Sequence, residues 1–390
     1  MEVNQVYELV NKAASEVLGK EPLATEDLTK VIDFGTEIFN ADAVDNYVRK
    51  LVDHIGRVVF VNRPYTGSAP SVLMDGWEFG SVMQKIRMDL PDADENEVWK
   101  LIDGETYIQD KFTAPKVYDK FFNDKQTFSI PMSIAERQVK ESFSNSGQLN
   151  AFVSMIFTSI ENSMTIRIDA LVMKLISSMI ARTLYEDFGE SGFGATSHTR
   201  SVNLLWLYNQ RFGKTLSAAD AVTDKEFIRF AAYTLGLYSG RMSKLSSLFN
   251  IGGTARFTPK DLQHVVLLEE FANAAGVYLQ SDTFHDQFVS LPKAETVPYW
   301  QGSGTDYSFA STSKIDVTIP TAAGNKTITT GGIIGIIFDR DALCVANTDR
   351  RVKTHDNGMA EFINYWYKFD ASYLADTNEN FVVFYVADPT

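Results

Sequence analysis

Ser311 and Lys314 stand three residues apart, a spacing at which a lysine can take the proton of a serine hydroxyl at a helix N-terminus and make it a nucleophile. The residues that follow, IDVTIP, carry a strand pattern rather than a helical one, so the pair lacks the support that chemistry needs. Asp339 and Asp341 in FDRDA form a second candidate, because two carboxylates across a turn are hard-cation ligands. They fit better as solvated turn residues between two apolar strands. Gly189, Gly192 and Gly194 offer a glycine-rich loop, but no Lys-Ser/Thr pair follows and no dinucleotide spacing is met. His54, His198, His264, His285 and His355 are scattered, without the i, i+4 pair of a helical zinc site. Cys344, the single cysteine, lies in an apolar strand pattern and reads as a buried structural thiol; it excludes an intrachain disulfide framework and a multi-thiolate metal site. No catalytic, cofactor-binding or metal-binding residue is therefore expected, and no cofactor.

The elements that would position any site are organised around one stretch, Ser146 to Tyr185. It holds no proline and one glycine, Gly147, and is rich in Leu, Ile, Met, Ala and Phe, which predicts a helix. From Gln148 onward roughly 37 residues would span ~55 Å. Ser144, Asn145 or Ser146 can cap it. Phe152, Ile156, Ile160, Met164, Ile168, Leu171, Leu175 and Met179 trace one face. Val153, Phe157, Val172 and Ile176 widen it beyond what a surface helix needs, so other layers must pack on this spine. Glu161, Arg167, Asp169 and Lys174 interrupt every membrane-length window, and no clean heptad survives.

The chain of 390 residues is 45% hydrophobic and 22% charged, ordinary values for a globular protein with an ample core. Its 27 phenylalanines and 16 tyrosines suit much sheet or much intersubunit surface. A formal net charge of -14 argues against a protein that grips nucleic-acid phosphates. One cysteine fits a reducing compartment. MEVNQVYELVNKAASEV reads as an acidic amphipathic helix, so no secretory leader or membrane anchor is expected.

In chain order, residues 1 to about 55 read as short helices, and RVVF (57–60) as a strand before an irregular path. WEFGSVMQKIRMDL and TYIQDKFTA predict two extended limbs flanking a short acidic helix in PDADENEVWKLIDG. Together they suggest a projecting loop whose Trp77, Phe79, Tyr107 and Phe112 need a neighbour to cover them; an ordinary small sheet layer is the plainer alternative. TFSIPMSIAERQVKESF predicts a strand at Phe128–Ile130 turning into a helix. GESGFGATSHTR reads as a linker into a second region that begins with Val202 to Leu207. There Thr223 and Glu226 predict a capping box, and Thr258, Pro259 and Asp261 predict the start of a helix over DLQHVVLLEEFANAAG, closed by Gly276. IDVTIP, a Gly324-Asn325 turn, KTITT, GGIIGIIFDRDALCVA, NYWYKFDASYL and Phe381–Val386 read as strands. The fold class is α+β, without regular βαβ alternation or internal repeat.

This order resembles the Hong Kong 97-type major capsid protein of tailed bacteriophages, and most closely the capsid proteins of small podoviruses of the phi-twenty-nine kind. YVRKLVDHIGRVVFV, the Phe121–Tyr185 passage and GIIFDRDALCVANTDRRVKTHDNGMAEFINYWYKFDASYLADTNENFVVF carry the likeness. The resemblance implies an N-terminal arm at 1–55, an extended E-loop at 56–120 and a peripheral domain with the spine helix at 121–200. It further implies an axial domain at 201–354 and a C-terminal return to the peripheral domain at 355–390. It also implies a structural protein, not an enzyme, that self-assembles into hexamers and pentamers of an icosahedral shell enclosing double-stranded DNA without reading its sequence. Scaffolding protein and a portal are the implied partners, no membrane is involved, and the place is the virion capsid, assembled in the bacterial host cytoplasm. Some relatives crosslink lysine to asparagine; Lys85 and Lys111 lie in the presumed loop, but no motif carries that chemistry over. The competing readings are a soluble hydrolase using Ser311 and Lys314 or the Asp339 and Asp341 pair, and another virion ring protein such as a portal.

Overall fold

The computed structural model describes residues 69–74, 83–90, 97–107, 114–135, 146–189, 196–221, 223–280, 294–300, 314–322 and 324–388, with a few single positions between 93 and 112. The helices expected over 1–55, the RVVF strand, Trp77, Phe79 and the segment 136–145 lie outside the described residues. In chain order come β1 (Leu73–Met74), β2 (Met83–Met88), β3 (Val117–Phe122), β4 (Lys125–Ala135) and the helix α1 (Ser146–Phe188). Next are β5 (Ser201–Asn203), α2 (Leu204–Phe212), α3 (Ala218–Ala221), α4 (Lys225–Met242), β6 (Gln263–Leu268), α5 (Glu269–Gln280) and β7 (Ala294–Val297). The chain closes with β8 (Ile315–Thr321), β9 (Gly324–Thr330), β10 (Ile333–Asp339), β11 (Leu343–Asn357), β12 (Phe362–Ala375) and β13 (Phe381–Tyr385).

Helix α1 has 43 residues, about 65 Å at 1.5 Å per residue, and outruns the expected stretch by one turn. Ile160, Met164, Ile168, Leu171, Leu175 and Met179 are buried along it as the sequence predicts, and Val172 and Ile176 are fully covered. The helix packs on both main sheets and on the β8–β9 hairpin, which contributes Ile315, Ile319 and Ile328 to the same core. Its register is fixed by Ser177, whose hydroxyl donates to the Trp300 carbonyl at 2.8 Å, while the buried Trp300 indole donates to Ile333 O at 2.8 Å.

The four-stranded sheet runs β1-β11-β12-β4 and the five-stranded sheet β5-β13-β10-β6-β7. In β12 every second residue from Ile363 to Phe369 faces α1, leaving Asn364, Trp366 and Lys368 on the other side. The five-stranded sheet is covered on both faces, which explains its unbroken apolar strands. Phe381, Val383 and Tyr385 point to the α1 core, while Val382 and Phe384 meet α2, α4 and α5 in a second core. Gly335 is required where β10 passes β6, because a Cβ there would lie 2.6 Å from Leu267 Cδ2.

Several local expectations are corrected. DLQHVVLLEEFANAAG is not one helix: QHVVLL is strand β6, and α5 begins only at Glu269 and runs past Gly276. Val265, Val266, Leu267 and Leu268 are all buried, a two-faced demand that a strand in mid-sheet meets and a surface helix does not. The N-cap of α4 is Asp224, whose side chain accepts from Phe227 N, rather than Thr223; Glu226 pairs instead with Lys214 and the Tyr208 hydroxyl. Thr321 pairs with Gly324, so the tight turn precedes Gly324 instead of falling on Gly324-Asn325. The acidic helix reduces to a single 3-10 turn at Glu97–Lys100, the second limb of the loop begins at Val117 rather than Tyr107, and β4 extends well beyond Phe128–Ile130. Successive β10 and β11 belong to different sheets, so the chain changes layer at 340–342, and β13 returns it to the five-stranded sheet.

At mid-sheet, Asp370 is buried on β12 and accepts from Arg351 Nη1 at 2.7 Å and from Thr127 Oγ1 at 2.6 Å, with Lys125 Nζ at 3.1 Å. Burial alone would raise this carboxyl, but those donors outweigh it and hold it at about 2 against an ordinary 3.8. A depressed acid contributes stability that is complete above its unfolded value and is lost as pH falls through the folded one. The melting temperature should therefore drop between about pH 4 and 2 more steeply in the native chain than in Asp370→Asn; parallel curves would contradict this role.

Candidate functional site

The candidate site is the β2–β3 hairpin and the polar junction at its root. β2 and β3 pair antiparallel from Met83↔Phe122 to Met88↔Val117. Along this ribbon Ile86, Met88, Val117, Tyr118 and Phe121 are exposed, an unusual display for a two-stranded sheet. Beyond it, Trp99 and Leu101 are each 73% exposed and Phe112 88%. A folded turn follows Trp99 and Leu101: Ile102 N donates to the Tyr107 hydroxyl oxygen at 2.7 Å, Glu105 N to Ile102 O at 3.2 Å, and Gly104 takes φ +88°, which glycine alone adopts freely. The expectation of exposed aromatics in a projecting loop holds at Phe112 and, at its margin, Tyr107.

The root is charged and largely buried. Lys85 Nζ lies 3.0 Å from Asp376 Oδ2 and 2.7 Å from Glu379 Oε1, and donates to Asp341 O at 3.2 Å. Lys120, its partner across the ribbon, reaches Asp376 Oδ1 at 2.9 Å, and Arg256 Nη2 meets Glu379 Oε1 at 2.8 Å. Burial pushes the Asp376 carboxyl up, but Lys85 and Lys120 bring it below the usual range, whereas burial wins at Glu379 and raises it despite Lys85 and Arg256. Behind this clamp, Asp339 accepts from Thr258 Oγ1 at 2.6 Å and from Asp341 N at 2.9 Å, and Asn380 Nδ2 donates to Thr258 Oγ1 at 3.1 Å. Phe122 closes the root by packing on Cys344, Ala346 and Leu374.

Removing Lys85 would leave Asp376 and Glu379 with fewer cations in a partly desolvated place, at about 2 kcal/mol. Lys85→Ala should thus lower the melting temperature and speed proteolytic cutting within the hairpin while the body stays intact; cutting at the native rate would refute the clamp.

Asp339 is not a solvated turn residue but a buried acceptor that ties the layer-changing turn, and the exposed Asp341 lies beside Arg340 instead of completing a metal pair. Among the described residues no group of three or more His, Cys, Asp or Glu is placed to hold a metal ion. His198 stacks edge-on against Phe188, His264 packs on Phe338 with its ring driven toward neutrality by burial, and His355 is exposed on β11. Cys344 is fully buried and its thiol is pushed up to about 12 by burial. Gly189 ends α1 at φ +72°, and Lys314 is exposed; Ser311, Gly192, Gly194, His54, His285 and Lys111 lie outside the described residues. Among the described residues no helix is long and apolar enough to cross a membrane. The root itself was missed by sequence reading, since Lys85 and Asp376 are 291 residues apart.

A long helix laid across two sheets, with a hairpin rooted on their junction, is the Hong Kong 97-type capsid fold. The capsid structure of Staphylococcus phage Andhra overlays at TM-score 0.51 and 10% identity, covering 84% of this chain and 86% of that one. The family model for the Phi29-like phage major capsid protein matches residues 8–385, and the chain belongs to that family. A curated relative, the major capsid protein of Bacillus phage GA-1, is 24% identical over 198 residues; the match spans 47% of this chain and 39% of that relative's length. The protein is accordingly a structural capsid subunit and not an enzyme, which sets aside the hydrolase and portal readings.

Proposed function

We propose that the subunit self-assembles into the hexamers and pentamers of an icosahedral shell that encloses double-stranded DNA. The observation that carries this is the rooted hairpin with Trp99, Leu101 and Phe112 in solvent: a lone subunit leaves that surface wet, and a neighbouring copy covers it. Distinct surfaces meeting head to tail close into rings, as capsomers require. The net charge of -14 suits an enclosure within which packaged DNA must stay mobile.

In this reading residues 1–55 are the arm, 56–120 the E-loop, 121–200 with the returning 355–390 segment the peripheral domain, and 201–354 the axial domain. Scaffolding protein and portal are its partners, and the particles form in the bacterial host cytoplasm and end as the virion capsid. Sucrose-gradient sedimentation of the overexpressed chain, alone and with candidate scaffolding protein from the same phage, tests it. Particles far larger than any single ring are expected; material no larger than one ring under both conditions would refute the reading.

A further inference from the structure

Two exposed surfaces of this chain are complementary in charge and alike in being apolar. The first is the hairpin tip, where Trp99, Leu101 and Ile102 are exposed. Between residues 95 and 110 the sequence carries Glu95, Glu97, Asp103, Glu105 and Asp110 against Lys100 alone. The second is the loop after α4. It displays Leu245, Leu248 and Phe257, each at least half exposed. Between residues 241 and 260 the sequence carries Arg241, Lys244, Arg256 and Lys260 and no carboxylate, in a chain whose net charge is -14.

This loop is held firmly, so the exposure of its leucines and phenylalanine is not a matter of slack. Ser246 and Arg256 exchange both backbone hydrogen bonds at 2.9 Å. Phe249 and Asn250 are buried, Asn250 Nδ2 donates to Thr254 O at 2.7 Å, and Phe381 N donates to Phe249 O at 2.8 Å. Arg256 is already engaged by Glu379, leaving Arg241, Lys244 and Lys260 as the exposed cations.

We propose that the acidic, apolar hairpin tip of one subunit docks on the basic, apolar 241–260 loop of a second copy of this chain. A chain does not readily satisfy itself, because its own loop lies at the hairpin root, where Arg256 and Lys85 share Glu379, and five extended residues from Lys85 to Leu90 already carry the tip about 17 Å away. The two surfaces differ, so the contact is head-to-tail: each subunit offers its loop to one neighbour and its tip to another, and association propagates. Opposite charge at the rim of an apolar contact fixes register and speeds encounter. The inference rests on the assembly reading and adds its receiving surface.

The test is a charge-reversal cycle in the full chain. Asp103→Lys with Glu105→Lys, and separately Lys244→Glu with Lys260→Glu, should each lower particle yield roughly tenfold, and combining all four should restore most of it. Circular dichroism and melting curves check that each variant is folded, which is expected because all four side chains are exposed. Independently, Asp103→Cys with Lys244→Cys should give a ladder of disulfide-linked oligomers on oxidation, with the buried Cys344 silent. Reversals that leave yield unchanged, a combined variant no better than the worse parent, or no ladder in assembled material would overturn the pairing alone. Failure of the native chain to form particles, both alone and with scaffolding protein, would overturn the assembly reading beneath it.

Discussion

Leu171→Asp is expected to leave no soluble, assembly-competent subunit. Leu171 is 4% exposed in the middle of α1, within the core that also holds Ile363, Tyr365 and Phe369 of β12 and Phe381 and Val383 of β13. The substitution removes the burial of a leucine and places a carboxylate among these groups, where it must be desolvated or protonated without a partner. The combined cost is about 5 kcal/mol or more, comparable with the whole stability of a typical domain. Lys174→Ala, one turn along and facing solvent, is the control and should change stability by no more than about 0.5 kcal/mol. Soluble yield and thermal melts distinguish the two; a Leu171→Asp chain that melts and assembles like the native protein would refute the spine.

Shortening the hairpin is expected to separate folding from assembly. Lys85 and Lys120 face each other across the ribbon, so residues 86–119 can be replaced by Asn-Gly, a two-residue turn suited to antiparallel strands. Both lysines and their carboxylate partners at Asp376 and Glu379 remain, and so does the Phe122 packing. The shortened subunit should melt within a few degrees of the native chain, because the deleted ribbon contributes no residue to either main core among the described residues. It should nevertheless form no particles, a loss beyond about a hundredfold, since assembly multiplies the defect over every contact in the shell. Normal particles from this variant would show that the hairpin makes no contact assembly needs.

The parts of the fold legible in the sequence were those governed by local rules. The 41 residues from Gln148 to Phe188 contain no breaker and allow little but a helix, and the period of two in NYWYKF puts Tyr365 and Tyr367 on one face, the buried one. QHVVLL was misread because four consecutive buried residues have neither period, and the adjoining EEFANAAG is helical in its own right. Asp339 was misread because a DRD turn looks solvated until Thr258 and Asn380 arrive from far along the chain. The hairpin root was illegible for the same reason. Lys85, Lys120, Arg256, Asp376 and Glu379 are ordinary surface types, and only the convergence of three distant segments makes them a clamp. The exposed apolar residues of the loop were partly legible as aromatics lacking a strand partner, but their company of carboxylates gains meaning only beside the basic 241–260 loop.

Cryo-electron microscopy of the purified, overexpressed protein decides whether this chain is the repeating unit of a closed shell. Closed particles built of five- and six-membered capsomers are expected, with density for a helix of about 65 Å in the shell wall and for the hairpin lying on the adjacent subunit. Single rings, or a monodisperse monomer that stays monomeric with scaffolding protein present, would contradict it.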